Sequence, residues 1–273
     1  MSEILRVENL KKYYIKKNFF GKEISIVRAV DDVSFSIEQG QTLVLAGESG
    51  SGKSTIAKLI LHAIPQDSGR IIFDSTEITN DKHALKRIRM GAQMVYQDPY
   101  DSINPQMKIK DIVSEPLEIH KITNSKEIVR QTLHEVKLEP VDEIMEKYPH
   151  MLSGGQRQRV VLARALVLKP KMIIADEPVS MLDVSIRAEI LELMEGLRQK
   201  HQISFLYITH DLATARYFGQ KIAILYKGKI VESGLIDEVL FSPKHEYTRA
   251  LIDSISEPNP DNLTREKKIR MQN

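Results

Sequence analysis

The residues best suited to chemistry form one short run, Gly47 to Thr55, which reads Gly-Glu-Ser-Gly-Ser-Gly-Lys-Ser-Thr. Glycines let such a loop curl tightly, so that successive backbone N–H groups point into one concavity that accepts phosphate. Lys53 would reach the terminal phosphates of a nucleotide, and the Ser54 hydroxyl would coordinate a Mg²⁺ ion that bridges them. The candidate nucleotide contacts are therefore Gly47, Glu48, Ser49, Gly50, Ser51, Gly52, Lys53, Ser54 and Thr55.

The flanking segments fit a phosphate-binding loop, or P-loop. Thr42 to Ala46 is apolar and predicts a short buried strand, and Ile56 to Leu61 predicts a helix. Strand, loop and helix in this order are the context that a P-loop requires, and the helix adds its positive N-terminal end. A glycine-rich turn with an incidental lysine is the other interpretation. The motif alone indicates only a nucleoside triphosphate, because kinases, GTPases, helicases and transport ATPases share it.

Two adjacent carboxylates follow a second apolar strand, Met172 to Ala175. An acid at such a strand end holds Mg²⁺ in P-loop proteins, often through water, and Asp176 takes that role. Side chains alternate along a strand, so Glu177 points differently and can face the γ-phosphate, where it could orient and deprotonate the attacking water. Two solvated acids at a strand end are the alternative.

Two further polar residues stand at predicted strand ends. His210 follows Leu206 to Thr209, and its position at the same crevice favours a contact with the γ-phosphate. Gln97 ends the strand Gln93 to Tyr96 and could coordinate Mg²⁺ or sense the γ-phosphate. The candidate catalytic residues are Glu177, His210 and Gln97, and the candidate metal ligands are Ser54, Gln97 and Asp176.

A second anion-binding helix start is predicted at Leu152 to Gln156. Two glycines free the backbone there, Ser153 offers a hydroxyl group and Gln156 offers an amide. One subunit with two such sites suggests a two-fold pair in which each copy covers the nucleotide of the other.

Composition is that of an ordinary soluble globular protein, with 28% charged and 42% hydrophobic residues in 273. Lys and Arg total 39 against 37 for Asp and Glu, which gives no broad field for nucleic acid. There is no cysteine, which excludes disulfides and thiolate metal sites. Neither a membrane span nor a secretory signal is visible, so we expect a cytoplasmic protein.

Together these residues resemble the ATP-binding subunit of ATP-binding cassette (ABC) transporters. In the terms of that family, Gly47 to Thr55 is Walker A, Gln97 the Q-loop, Leu152 to Gln156 the signature, Ile173 to Glu177 Walker B, Met181 to Asp183 the D-loop and His210 the switch histidine. The resemblance implies an α/β fold: a P-loop NTPase core with a mixed sheet, flanking helices and an N-terminal antiparallel β layer. It implies an ABC ATPase domain over residues 1–254, an inserted helical subdomain over about 98–170, and a polar tail over 255–273.

The same resemblance implies a head-to-tail dimer with ATP and Mg²⁺ between the P-loop of one subunit and the signature of the other. Ser153, Gly154, Gly155, Gln156 and Asp183 would then contact the partner's nucleotide. It also implies an aromatic residue stacked on adenine, a position that Tyr14 matches better than Tyr13.

Several stretches resemble the dipeptide, oligopeptide and nickel importer branch, among them Gln97 to Tyr100 and Ser242 to Leu251. Glu246, Met181 and the pair Met151-Leu152 depart from the usual pattern of that branch. Peptides are the first expectation for the cargo, with nickel and oligosaccharides as alternatives. The departures bear on this assignment more than on ATP hydrolysis.

The partners that this resemblance implies are a second cassette, identical or related, two transmembrane permease subunits and, indirectly, an external solute-binding protein. The subunit would lie on the cytoplasmic face of the membrane. Tyr100, Ile103, Asn104 and Pro105 would line the groove for a permease helix. The alternatives are a soluble ABC-type ATPase acting on DNA or ribosomes, and a small-molecule kinase. Neither explains the chain as well, because there is no nucleic-acid footprint and a kinase has no use for the signature.

Overall fold

The computed structural model describes residues 2–17 and 23–255. The sequence also predicts a basic loop from Lys16 to Lys22, which falls largely on residues 18–22, and the predicted polar tail falls on 256–273 apart from its first residue. Both therefore lie outside the described residues.

Strands and helices alternate through most of the described chain. The strands are β1 (Glu3–Lys17), β2 (Glu23–Glu38), β3 (Thr42–Ala46), β4 (Ser68–Phe73), β5 (Thr76–Glu77), β6 (Ala92–Val95), β7 (Met172–Asp176), β8 (Ser204–Thr209), β9 (Lys221–Tyr226) and β10 (Lys229–Leu235). The helices are α1 (Lys53–Ile60), α2 (Lys82–Gly91), α3 (Pro99–Ser102), α4 (Ile109–Ile119), α5 (Ser125–Glu135), α6 (Val141–Glu146), α7 (Gly154–Leu166), α8 (Val184–His201), α9 (Leu212–Phe218), α10 (Ile236–Phe241) and α11 (Glu246–Ile255), with a 3₁₀ turn at Pro149–Met151.

The first sheet is antiparallel, in the order β2-β1-β4-β5. The sequence predicts only short strands at Ile4 to Val7 and Val33 to Ile37, whereas β1 and β2 are much longer. Bulges interrupt the alternation that would have revealed the full strands. At one of them Asn9 takes a φ of 49°, and its N–H donates to the Ser34 hydroxyl at 2.8 Å.

The second sheet is mixed, in the order β10-β9-β3-β8-β7-β6, with β10 alone antiparallel to its neighbour. Strands β3 and β8 are buried along their whole length, as expected for parallel strands covered on both faces. The carboxyl ends of β3, β6, β7 and β8 meet at one edge of this sheet. The sequence predicts a hairpin from Lys221 to Val231 through Lys227-Gly228, and the pairing of β9 with β10 confirms it, with β10 extending to Leu235.

Between β6 and β7 the chain forms a group of helices, α3 to α7. The helical pattern predicted from Ile109 to Tyr148 corresponds to α4, α5 and α6. Leu133 and Val136 are fully buried, and Ile128 packs against the same core. In α8 the predicted apolar stripe is also buried, at Ile190, Leu193, Met194 and Leu197, with Ile186 partly covered.

Within residues 2–17 and 23–255, no helix combines the length and the apolar character needed to cross a lipid bilayer.

The buried face of α5 should be a main source of stability for this helical group. Leu133 has no exposed surface, whereas Ile119 on α4 is 67% exposed. We expect Leu133→Ala to lower the free energy of unfolding by about 2–5 kcal/mol, because it leaves a cavity in a packed core. Ile119→Ala should change it by less than ~0.5 kcal/mol. Urea denaturation of the full chain measures both, and equal effects would contradict this account of the packing.

Candidate functional site

The P-loop joins β3 to α1 and lies against the backbones of two other strands. Gly47 and Gly52 have φ angles of 153° and 115°. A Cβ atom on Gly47 would lie 2.2 Å from the carbonyl oxygen of Leu225 in β9, and one on Gly52 would lie 2.1 Å from that of Ala29 in β2. No side chain fits in either place, so these glycines are required by the close approach as well as by the turn.

Lys53, the first residue of α1, is only 7% exposed. Its Nζ atom donates to the carbonyl oxygens of Gly47 at 2.7 Å and Glu48 at 2.8 Å, so the ammonium group lies across the loop. Burial lowers the pKa of Lys53, while the nearby carboxylates of Glu177 and Asp176 oppose this effect. A cation held in this way is suited to a polyphosphate that supplies negative charge.

A cleft of about 630 Å³ opens in front of the loop. Its volume lies within the range of small-molecule and cofactor sites, ~300–1,000 Å³. Its wall combines the P-loop with β2, the ends of β6 and β7, and the turn between β9 and β10. The lining residues are Ile26, Val27, Arg28, Ala29, Ser49, Gly50, Gly52, Lys53, Ser54, Thr55, Gln97, Asp176, Glu177, Lys227 and Gly228.

Ser54 and Asp176 supply two oxygen atoms at the floor of the cleft. Burial raises the pKa of Asp176, and a hydrogen bond from the Ser54 hydroxyl partly offsets this. Mg²⁺ prefers oxygen ligands and keeps several waters, with one or two protein oxygens and substrate phosphates completing its shell. This pair fits such an ion. Among the described residues no group of three or more His, Cys, Asp or Glu side chains could hold a metal without phosphate.

Glu177 is held from both sides. Gln97 Nε2 donates to Oε2 at 3.1 Å, and His210 Nδ1 lies 2.8 Å from Oε1. The carboxylate side chain is 16% exposed, whereas that of His210 is 60% exposed. The three residues follow β6, β7 and β8, so the parallel register brings them together as the sequence predicts for one crevice. In the described conformation the Gln97 amide contacts Glu177.

The signature segment caps α7. The Ser153 hydroxyl accepts from the Gln156 backbone N–H at 3.3 Å, and the Gln156 side chain accepts from the Ser153 N–H at 3.0 Å, forming a capping box. A Cβ on Gly155 would lie 2.6 Å from Ile186 Cγ2, so this glycine lets α7 pack against α8. Gly154 lies beside Leu182 of the D-loop, and Asp183 caps α8 without a hydrogen bond from its side chain.

Neither the signature nor Asp183 lines the cleft of its own chain in the part that the structure describes. Ser153 and Asp183 are both exposed. The chain therefore presents a nucleotide cleft and a separate polar surface built on a helix start.

The two candidate aromatic residues have different surroundings. The Tyr13 hydroxyl donates to Asp31 Oδ1 at 2.5 Å, whereas the Tyr14 side chain is 45% exposed. Tyr14 pairs across the strands with Val27, which lines the cleft. Tyr14 is not itself a lining residue of the cleft, and its stacking on adenine stays a prediction.

The residues predicted to line a permease groove are not all at the surface. Ile103 is 6% exposed and belongs to the core, so its predicted place in the groove is wrong. Asn104 and Pro105 are exposed, and the Tyr100 side chain lies outside the described residues.

Several residues that shape the site were not predicted. The Gly228 N–H donates to Ser51 O at 3.0 Å, and the Asp31 N–H donates to Gly228 O at 2.8 Å, so the β9–β10 turn links the P-loop to β2. Arg28 and Lys227 add cations to the cleft wall. The Lys227-Gly228 pair indicates a turn in the sequence, but no local signal shows which segment the turn contacts.

Comparison with known proteins gives the family. A profile of the ABC transporter family matches residues 30–180. A probable peptide ABC transporter ATP-binding protein of Sinorhizobium fredii is 43% identical over 94% of this chain and 74% of its own. The oligopeptide transport ATP-binding protein OppF of Bacillus subtilis is 40% identical over 95% of this chain and 84% of its own. This chain belongs to the ABC transporter family.

Solved structures agree with this assignment to the ABC family. A dimeric cassette, MJ0796, described as a post-hydrolysis state bound to ADP and phosphate, superimposes with a TM-score of 0.72 at 27% identity. The match covers 85% of this chain and 98% of that one. The cassette cbiO1 of Clostridium perfringens gives a TM-score of 0.75 at 25% identity, over 89% and 92% of the two chains. The predicted family and fold class are confirmed, and the chain is an ABC ATPase.

The raised pKa of Asp176 has a consequence for the stability of this cassette. The folded protein holds the Asp176 proton more tightly than the unfolded chain, so the free energy of unfolding falls as pH rises through the raised pKa. At pH 7, without nucleotide or Mg²⁺, Asp176→Asn should therefore raise the urea midpoint. The difference should shrink as the pH falls from the raised pKa toward about 4, the ordinary pKa of an aspartate, and it should be nearly absent below that pH. Asp253→Asn, on the exposed face of α11, is the matched control. A urea midpoint for Asp176→Asn below that of the wild type at pH 7 would contradict the inference that the charged Asp176 carboxylate destabilises the folded protein.

Proposed function

We propose that this cassette binds ATP in the cleft described above and hydrolyses it to drive the import of peptides through membrane subunits. The observation that carries the catalytic part is the Glu177 carboxylate, held between Gln97 and His210 in the cleft that also contains Lys53 and Asp176. The assignment of peptides as the cargo is supported by the names of the relatives. They are described as ATP-binding proteins for peptide, oligopeptide and, in Escherichia coli at 39% identity, dipeptide transport.

Each residue of the cleft has a distinct role in this proposal. The P-loop N–H groups and Lys53 would bind the phosphates, while Ser54 and Asp176, with Gln97, would hold Mg²⁺. The ion, when bound, neutralises charge on the β- and γ-phosphates. Glu177 accepts a proton from the attacking water, which requires a carboxylate of fixed orientation. The contacts from Gln97 and His210 supply that orientation, and His210 would also contact the γ-phosphate.

Hydrolysis in this proposal requires a second cassette. Ser153 to Gln156 and Asp183 do not line the described cleft of their own chain, so in this proposal they act on a nucleotide bound by the partner. A head-to-tail pair places them over the partner's nucleotide, and the dimeric state of the related cassette MJ0796 supports such a pair. Tyr14 would stack on adenine, which is worth ~1–3 kcal/mol by analogy with bases stacked on aromatic side chains. Two transmembrane permease subunits and, indirectly, an external solute-binding protein would complete the importer, and the cassette itself would lie at the cytoplasmic face of the membrane.

The role of Glu177 can be tested by a substitution that preserves its shape. Glu177→Gln should leave ATP binding intact and slow hydrolysis by ~10²–10⁴-fold, the usual size of a general-base effect. ATP should then hold the variant as a stable dimer, which size-exclusion chromatography detects. Glu192→Gln, on the exposed side of α8, is the control and should behave like the wild type. Near-normal hydrolysis by Glu177→Gln would remove Glu177 from the catalytic role.

The cargo can be tested in the cell that carries the gene. Deletion should abolish uptake of radiolabelled tripeptides, and the wild-type gene should restore it, while Glu177→Gln should not. Uptake of nickel and of an oligosaccharide, measured in the same strains, should be unaffected. Normal peptide uptake together with reduced nickel or oligosaccharide uptake would replace the proposed cargo with one of those alternatives.

A further inference from the structure

The last described helix, α11, is anchored close to the cleft although no residue of it lines the cleft. The two residues that directly precede α11 are held by Glu232 of β10. The Glu232 carboxylate accepts hydrogen bonds from the backbone N–H groups of Lys244 at 2.8 Å and His245 at 3.0 Å. Inside the helix, Thr248 is fully buried and Leu251 is 8% exposed. The helix is therefore held firmly against the core.

Tyr247 connects this helix to the end of β9. Its ring stacks on Tyr226 with the centroids 4.0 Å apart and the planes inclined by 27°. Tyr226 directly precedes the Lys227-Gly228 turn, which donates a hydrogen bond to the P-loop at Ser51. The tyrosine pair thus lies beside a segment that already contacts the loop.

The Tyr247 hydroxyl contacts the P-loop itself. It accepts a hydrogen bond from the Glu48 backbone N–H at 3.1 Å. The carbonyl group of the same peptide unit belongs to Gly47, and it accepts from Lys53 Nζ at 2.7 Å. A peptide unit is planar, so rotation of this unit away from Tyr247 would also turn the Gly47 carbonyl away from the lysine.

We infer that Tyr247 is a positioning residue for ATP binding. Through one peptide plane it fixes the Gly47 carbonyl, which in turn fixes the ammonium group that receives the phosphates. The helix α11 is thereby part of the machinery that sets the affinity for ATP. This inference rests on the proposed role of Lys53 in phosphate binding.

The expected effect is confined to affinity. Tyr247 touches neither Glu177 nor Asp176 in the described structure, and it is not a lining residue of the cleft. Loss of one neutral hydrogen bond that orders the loop should weaken ATP binding by about 3- to 10-fold. The rate at saturating ATP should remain within about twofold of the wild type, because the atoms around the attacking water are unchanged.

The test is Tyr247→Phe, which removes the hydroxyl and keeps a ring to stack on Tyr226. Binding of a fluorescent ATP analogue to the full chain gives the Kd, steady-state hydrolysis separates KM from kcat, and thermal unfolding reports on the fold. We expect Kd and KM to rise by about 3- to 10-fold with kcat and Tm nearly unchanged. Tyr217→Phe, at a side chain that is 61% exposed on α9, is the matched control and should change none of them. An unchanged Kd for Tyr247→Phe, or a loss confined to kcat, would overturn the inference.

A second substitution tests whether the effect passes through α11. Glu232→Ala removes the two acceptors that hold the start of the helix, so it should weaken ATP binding in the wild-type background. In the Tyr247→Phe background it should add little, because the connection to Glu48 is already broken. If the fold-changes in Kd of Glu232→Ala and Tyr247→Phe instead multiply in the double variant, the two residues act independently, which would contradict an effect of Glu232 that passes through α11 and Tyr247.

Lys53→Ala separates this inference from the proposed function. If Lys53→Ala leaves ATP affinity unchanged, the assignment of the P-loop lysine fails and the role of Tyr247 fails with it. If Lys53→Ala weakens binding and Tyr247→Phe does not, only the role of Tyr247 is overturned.

Discussion

The parallel pairing of β3, β8, β7 and β6 is the constraint on which the site depends. Because these strands run in one direction, their carboxyl ends deliver the P-loop, His210, Glu177 and Gln97 to the same edge of the sheet. None of these side chains is close to another in sequence. The contacts of Glu177 with Gln97 at 3.1 Å and with His210 at 2.8 Å follow from strand register. A shift in that register would separate the Glu177 carboxylate from both partners.

The close contacts behind the P-loop complete this arrangement. The loop is supported by carbonyl groups of β2 and β9, by the turn after β9 and by a tyrosine on α11. Strands of both sheets and the last described helix thus meet at one nine-residue segment. The nucleotide cleft is therefore a joint product of distant parts of the chain, while the signature on α7 depends mainly on its own capping box and on α8.

Much of the fold and of the cleft could be predicted from the sequence. The parts that could not be predicted share a physical reason, which is that they depend on contacts between distant segments. Lys53, Asp176 and Glu177 belong to local sequence motifs that indicate their chemistry without a structure. Gln97 and His210 needed the resemblance to become convincing, because a single polar residue at a strand end has many uses. The contacts of Gly228 and Tyr247 have no local signature, since they depend on where β10 and α11 fold back. The bulges interrupt the apolar alternation of β1 and β2, so the sequence pattern revealed only a short part of each strand. Ile103, which was expected to line a groove, has an apolar side chain that packs in the core.

The order of the mixed sheet also gives the strands behind the cleft different numbers of hydrogen-bonded neighbours. Asp176 ends a strand that is bonded on both sides, and the P-loop follows another such strand, whereas β6 in the described structure is bonded to β7 alone. Gln97 thus follows the edge strand on this side of the sheet in the described structure, and the chain continues from it directly into the helical group. In the proposed function, a movement of those helices would act on Gln97 through the backbone and would be opposed by a single ladder of hydrogen bonds, whereas the P-loop follows a strand that is bonded on both sides.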